Sequence, residues 1–512
     1  MNFSDSFNSN NRLCHFSPDG TSLAHVDGHY KLFIRNARTL TVQQMFTCLD
    51  EISHISWSPD SSMVLCAMYK RALVQIFSLE NTDWTCKIDE GSYGLVSAVW
   101  SSDSLSVLTT SEFSLRITVW SLTTKSVAYI KYPKAIPAPI QFSEDGQYMA
   151  LAERRECADH VSVFLVSNWT LASHFATESS DLQSIRWTPD SVTIAVLDTC
   201  TEVRLLFYSV LGHLVSKMEP YLNGLGIKTI AFSPSGQLAA AGFYNQSIHI
   251  IPHMTWKSIT RLKHPSAITA PTPKPPNPPT SAENTTASSM TADSTAVSCT
   301  GETAAGRKKE FVTVYKETDY RMDVLSASPI VNMQPSGPLK VKQVRYELVE
   351  QRPFDIPFTT PDPEKPNPKL GPGLLSFSCN GLYLMSRNDN QPCTVYIWNI
   401  RTLSLDSVLQ HNEPITAAQW DPVHCRLAML TGTPKVFMWS PEGCMAVRIV
   451  ETGRSVPNGV DIRWHPDGHH LAVIAKHAFF MCYIQQPQQH LQSRNGKESG
   501  APLQVQQKVL EA

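Results

Sequence analysis

The chain has 512 residues, more than one ordinary small domain holds, so internal repeats or several domains are expected. Lys plus Arg number 43 and Asp plus Glu 45, a formal net charge of -2, which gives no global electrostatic ground for nucleic-acid binding. Hydrophobic residues at 42%, with 11 Trp, 15 Tyr and 20 Phe, exclude a chain that is disordered throughout.

The N-terminal stretch MNFSDSFNSNNRLCHF has no basic region followed by an apolar run, so no signal peptide is expected. No stretch approaches 18 consecutive apolar residues, so no membrane insertion is expected. The 12 cysteines are scattered, and the closest pair, Cys379 and Cys393, lies 14 residues apart. That spacing excludes a local CxxC knuckle. Thiols inside apolar segments, such as Cys66 in MVLCAM, suit a reducing compartment, and a cytoplasmic protein is expected.

An aromatic followed by a turn motif recurs along the chain. FSPDG begins at Phe16, WSPDS at Trp57, WSSDS at Trp100, FSEDG at Phe142 and WTPDS at Trp187. FSPSG at Phe232, FSCNG at Phe377, WDPVH at Trp420 and WHPDG at Trp464 continue the series. Successive motifs are 41 to 45 residues apart, except for one step of 145 between Phe232 and Phe377. Within each motif Pro fixes φ, Asp caps the turn and Gly accepts positive φ. A short apolar strand follows, such as MVLCAM (63–68), YMALAE (148–153) or HLAVIA (470–475). A third strand then ends in an aromatic: VQIF at Phe77, ITVW at Trp120, VSVF at Phe164, VYIW at Trp398, VFMW at Trp439. These runs have strand length and β-branched composition, so the class is all-β.

A period of 40–45 residues built this way is the mark of a β-propeller, and the repeats resemble the WD-repeat family over most of 1–265 and 371–484. They depart from the family pattern. The Gly-His dipeptide before the first strand is mostly missing, His411 being its best approximation, and the Trp-Asp ending becomes Trp398-Asn399, Trp120-Ser121 or Trp439-Ser440. The family's buried His–Asp network is therefore expected to be absent from most blades, leaving apolar packing as the main source of stability. Nine units favour one closed nine-bladed ring, with residues near Asn2–Phe7 adding an outer strand to the last blade. A seven-bladed ring with extra repeats, or two incomplete rings, fits the same count.

The chain divides accordingly. Residues 1–265 hold blades one to six. Residues 266–310, beginning with TAPTPKPPNPPT and lacking any aromatic, read as a disordered insertion whose Arg307-Lys308-Lys309 cluster is taken as a solvated linker end. Residues 311–370 regain strands in FVTVYKE (311–317) and VRYELVEQR (344–352), expected as outer strands completing the interrupted blade. Residues 371–484 hold blades seven to nine, and 485–512 form a flexible Gln-rich tail.

No nucleotide-binding, zinc-protease or serine-hydrolase motif occurs, and no cofactor is expected. His469-His470 follows a turn and is read as structural, so no metal ligands are assigned. Binding is sought on the loops joining second and third strands, which share a rim with the blade connections. The candidates are Tyr69, Lys70 and Arg71; Glu153, Arg154, Arg155 and Glu156; Tyr244-Asn245-Gln246; and Arg387 with Asp389 in RNDN. A rim of mixed charged and aromatic residues suits protein recognition.

Several stretches are more specific than a generic propeller: FTCLDEISHISWSPDS (46–61), LCAMYKRALVQIFSLE (65–80), WTCKIDEG (84–91) and LRITVWSLTTKSVAYIKYPKA (115–135). YMALAERRECADHVSVF (148–164), LGIKTIAFSPSGQ (225–237) and RNDNQP (387–392) belong with them. Together they resemble the WD repeat-containing protein eight family, a member of which is encoded antisense to a p-fifty-three-family gene. The resemblance implies a non-enzymatic adaptor at centrosomes, centriolar satellites and spindle poles. It implies a coiled-coil partner of the synovial-sarcoma-X-breakpoint-interacting type, with γ-tubulin-associated or minus-end motor proteins engaged indirectly. It also implies anchoring of microtubule minus ends, spindle assembly and early cilium assembly. Three further readings from other function classes stay open: a ribosome-associated translation factor, a ubiquitin-ligase substrate receptor, and a hydrolase or isomerase with its site in the central channel.

Overall fold

The computed structural model describes residues 1–10, 12–221, 224–271, 311–324, 339–362, 364, 368–449 and 458–484. Most of the expected disordered insertion, and the whole expected tail, lie outside the described residues.

Nine antiparallel sheets follow one another along the chain, spanning 14–47, 54–89, 97–131, 140–176, 184–218, 227–263, 372–410, 417–448 and 459–483. In eight of them the four strands of one repeat pair in chain order. The ninth has only three strands of its own, Gly459–Trp464, His470–Ala475 and Ala478–Tyr483, and its outer edge is completed by the N-terminus. Asn2 and Phe3 pair with Tyr483 and Cys482, and Phe7 and Asn8 with Phe479 and Ala478. The expected latch is therefore present, and Phe7 stacks on Phe479 with ring centroids 5.3 Å apart.

The apolar cores lie between blades. Ile34 and Leu32 of blade one meet Val64 and Cys66 of blade two. Leu65 and Val74 meet Ala98 and Val107, and Leu108 and Val119 meet Met149 and Leu151. The same arrangement joins blades four to five, five to six, six to seven, seven to eight and eight to nine. A ninth cluster, Cys14 and Leu23 with Ala472, Ile474 and Phe479, joins blade nine to blade one. Each sheet buries both faces only because it has two neighbours, and the ring closes as one nine-bladed propeller.

The recurring motif explains how the blades are held in register. The Trp that ends a first strand donates its indole N–H to a carbonyl in the first strand of the preceding blade. Trp57 donates to His15 (3.0 Å), Trp100 to Ser56 (3.2 Å), Trp187 to Gln141 (3.0 Å), Trp420 to Ser376 (3.1 Å) and Trp464 to Gln419 (3.1 Å). Where the motif starts with Phe no such donor exists. The following turn is locked locally, as Ser17 donates to Asp19 (2.5 Å) and Ser58 to Asp60 (2.5 Å).

Two expectations are corrected. Thr313–Val324 and Leu339–Leu348 are outer strands of blade seven, as expected, but they extend that blade and do not complete it, because it supplies four strands of its own. Thr313–Val324 adds a fifth strand, parallel to Ser404–Gln410, and Leu339–Leu348 a sixth. Glu317 on the fifth strand is buried and accepts from Lys435 Nζ (2.6 Å) and the Asn412 amide (2.9 Å), tying the addition to blade eight. Within 266–310, Ala267–Ile268 pairs with Phe354–Asp355, and Arg352 donates to the carbonyls of Ala270 and Val312.

Buried polar networks also contribute more than expected. In blade seven, Trp398 donates to Ser386 (2.8 Å), whose hydroxyl meets His264 Nε2 (2.9 Å), and His264 Nδ1 meets the Gln246 carbonyl (2.8 Å). His264, not His411, thus fills the expected histidine role. His411 is buried instead against Phe437 and Tyr346.

Two outcomes follow. Removing residues 2–8 uncovers the edge of Ala478–Tyr483 and the faces of Phe479 and Phe480 that Phe7 and Phe3 cover. We expect a loss on the order of 2–4 kcal/mol in urea denaturation and concentration-dependent association by light scattering. The second concerns acid. Burial lowers His264 to about 4, and burial with the nearby Lys435 charge lowers His411 to about 3. In the unfolded chain both titrate near 6.5, so that state takes up protons first as pH falls. Their contribution is full above pH about 6.5 and is lost as pH falls, to about 4 for His264 and to about 3 for His411. The urea midpoint is therefore expected to fall steadily across that window, and a His411→Phe chain to show a shallower decline.

Candidate protein-docking face

In every blade the hairpin joining second and third strands lies on the same face as the connection to the next blade. That face carries the sequence candidates, and the structure sorts them into two kinds.

Tyr69–Arg71 forms one 3-10 turn, closed by Ala72 at φ 54. Tyr69 packs inward on the core between blades two and three. Lys70 and Arg71 point outward and pair with the preceding connection, Lys70 with Glu51 (2.5 Å) and Arg71 with Asp50 (2.9 Å). The Glu51 carboxyl is held below its ordinary value by the hydrogen bond and charge of Lys70.

Glu153, Arg154 and Arg155 are not a loop. They end the strand Tyr148–Arg155, paired to His160, Asp159 and Ala158, and the turn itself is Glu156-Cys157 with both residues at positive φ. Met149–Glu153 are buried on both faces of the sheet, so Glu153 is buried completely. Its carboxylate faces Arg155 NH2 at 2.7 Å and His174 at 4.0 Å. Arg154 reaches the buried Asp159 (3.0 Å) and Asp181 (3.1 Å), where Lys134 also binds both carboxylates (2.8 and 2.7 Å). Arg154→Glu would set a carboxylate beside Asp159, so charge reversal there tests the fold rather than binding.

Arg387 and Asp389 are a seam. Arg387 donates to the Ile415 carbonyl (2.5 Å) and to Asp389 (2.9 Å), and Asp389 accepts from Lys228 of blade six (2.7 Å). Tyr244 is buried, as are Asn388 and Asn390. Of the sequence candidates, Lys70, Arg71, Arg154 and Arg155 offer substantial outward surface, whereas Glu153, Arg387 and Asp389 hold the ring together.

The most prominent apolar surface on this face was missed by sequence. Phe113, in the second-to-third strand hairpin of blade three, is 88% exposed. It and Ser114 have φ of 56 and 51, left-handed values unusual for such residues. Leu115 in the same hairpin, Tyr93 in the connection from blade two, and Tyr129 and Tyr132 at the end of blade three are exposed as well. Arg116 lies between Tyr93 and Tyr129, its guanidinium carbon 3.9 and 4.6 Å from their ring centroids, and Arg155 covers Tyr132 at 5.1 Å. Behind the ridge Arg116 pairs with the buried Glu90 (3.3 Å), which also accepts from Thr109 and from the Trp120 indole (3.1 Å). Rigid aromatics fixed by stacking, with an arginine among them, make a composition enriched at protein interfaces. The sequence signal was a lone Phe inside the polar run SEFS.

On the opposite face, among the described residues, one cluster could hold a metal ion: His465, Asp467 and His470 in the turn of blade nine. The H-x-D-x-x-H spacing of His465, Asp467 and His470, and not the adjacent pair His469-His470, brings the three donors together.

Nine sheets joined through shared cores, with loops gathered on one face, define a WD-repeat β-propeller, a class that typically serves as a non-catalytic scaffold. No protein-family profile matches the chain. WD repeat-containing protein WRAP73 of Mus musculus is 42% identical over 488 residues, covering 95% of this chain and 96% of that protein. The chain belongs to the WRAP73 family of WD repeat-containing proteins. An uncharacterised WD repeat-containing protein of Schizosaccharomyces pombe is 21% identical over 415 residues, 79% of this chain and 73% of that protein. Among solved structures, the C-terminal WD40 domain of Sif2 aligns at TM-score 0.46 and 10% identity, covering 85% of this chain and 96% of that one. The Cps50 (Swd1) propeller of Myceliophteria thermophila aligns at TM-score 0.35 and 15% identity, covering 51% and 89%.

Arg116→Ala removes the stacking between Tyr93 and Tyr129 and one partner of buried Glu90. A loss of about 1.5–3 kcal/mol in urea denaturation is expected. Phe113→Ser, with nothing packed behind it, is expected to change stability by less than about 0.5 kcal/mol.

Proposed function

We propose that this propeller is a non-enzymatic adaptor at centrosomes and spindle poles. It captures a coiled-coil partner on the loop face and so helps to anchor microtubule minus ends and assemble the spindle and early cilium. The location and the partner class rest on family membership and on the stretches 46–61, 115–135 and 148–164 that resemble the family. The single observation that carries the capture surface is the ridge of Tyr93, Phe113, Leu115, Tyr129 and Tyr132. A helix of a coiled coil offers an apolar stripe flanked by charges. The stripe would cover the aromatics, and acidic flanking residues would meet Arg154, Arg155, Lys70 and Arg71.

The experiment images a fluorescently tagged full-length chain beside a γ-tubulin marker in dividing cells, then compares parent and Phe113→Ser chains in affinity capture of the coiled-coil partner. Focal signal at spindle poles is expected, with capture by Phe113→Ser reduced at least about tenfold, the scale of an aromatic interface anchor. Diffuse signal from a folded fusion overturns the location. Equal capture by both chains overturns the ridge as the docking surface.

A further inference from the structure

The turn of blade nine differs from seven of its counterparts in one atom set. After the aromatic that ends the first strand, seven blades place a hydroxyl: Ser17, Ser58, Ser101, Ser143, Thr188, Ser233 and Ser378. In the first five and in the last, that hydroxyl donates to the Asp or Asn two residues on. Blade nine has His465 here, 5% exposed, two residues before Asp467.

An imidazole cannot repeat the hydroxyl's work. His465 Nε2 contacts the Gly20 carbonyl of blade one at 2.6 Å, so that nitrogen carries the proton and bridges the closing seam. Its Nδ1 then presents a lone pair 2.7 Å from Asp467 Oδ1, and receives only a long contact from the Asp467 amide (3.2 Å). Two electron-pair donors at that separation need positive charge between them, supplied either by a proton on Nδ1 or by a metal ion. A third donor completes the set, His470 Nδ1, 3.3 Å from Asp467 Oδ2. All three ligand atoms lie within 4.8 Å of one another. Asp467 is oriented by the His469 amide, which donates to Oδ1 (2.8 Å). A histidine whose remote N–H is held by a backbone carbonyl, beside an oriented carboxylate, is the arrangement that outer-shell partners give to metal ligands.

We propose that His465, Asp467 and His470 bind one divalent zinc ion at the seam between blades nine and one. Two imidazoles and a carboxylate supply three of the four tetrahedral positions, and solvent supplies the fourth. Because His465 also holds Gly20, the ion stiffens the seam where the aromatic of the next turn is Phe16 and no indole bond to the preceding blade exists.

The test uses the full-length chain, stripped with a chelator and titrated with zinc chloride by calorimetry, beside His465→Ser, His470→Ala and His469→Ala chains. His465→Ser restores the hydroxyl of the other turns and is therefore expected to fold. The parent and His469→Ala chains are expected to bind about one zinc each, with melting temperature rising on zinc addition. His465→Ser and His470→Ala should bind at least about tenfold more weakly and show no rise. Equal binding by all four chains, or no saturable binding to the parent, overturns the site and leaves a proton shared between His465 and Asp467.

Discussion

No blade of this protein has a core of its own. A four-stranded sheet has two apolar faces and needs a neighbour on each. The chain meets that requirement nine times over, from the cluster of Ile34 and Val64 around to that of Leu23 and Ile474. Closure is therefore a condition for the burial of every sheet. It explains why the N-terminus is given up to blade nine: with three strands of its own, that blade would leave Ala478–Tyr483 as an open edge beside two buried phenylalanines.

Apolar contact alone does not fix the rotation of one blade against the next, and directional bonds do. Five indole donors reach back across five seams, and side chains reach across others. Lys228 with Asp389 spans blades six and seven, and His465 with Gly20 spans blades nine and one. Polar groups are placed where the apolar core ends, and most are paired, as their burial requires. The same rule governs the insertion. Glu317 enters a buried position because Lys435 and the Asn412 amide await it there, so the added strand is held by charge as well as by its backbone ladder.

The blade turns were legible in the sequence because their chemistry is local: Ser, Pro, Asp and Gly at fixed offsets dictate a turn wherever they occur. The site was less legible because exposure is decided by register. Glu153-Arg154-Arg155 looks like a charged loop, but the strand runs two residues further than the apolar pattern suggests, which turns Glu153 inward. Arg387 and Asp389 look solvent-facing until Lys228, far away in sequence, is placed against them. Phe113 carried a faint signal, one apolar residue in a polar run. Its companions Tyr93, Tyr129 and Tyr132 come from other segments and are assembled only by folding. The strand at Thr313–Val324 was legible as a strand, but its parallel pairing to Ser404–Gln410 was not, since β composition does not specify a partner.

The two faces of the ring have different physical tasks, and this separates the two sites. The aromatic ridge sits on the face where hairpins vary in length and composition. The His465 cluster sits on the face of the short, stereotyped turns, at a seam. A cation there changes how firmly blade nine holds blade one, while Tyr93, Phe113 and Tyr129 are carried by blade three and its connection from blade two. Coupling between them would have to run through the stiffness of the whole ring, because among the described residues no contact network links blade nine to blade three except through the blades between. Loss of zinc would therefore lower the resistance of the ring to opening without altering the arrangement of the ridge. Partner capture at temperatures well below melting should be indifferent to the ion, and dependence would appear only near the temperature at which the seam yields.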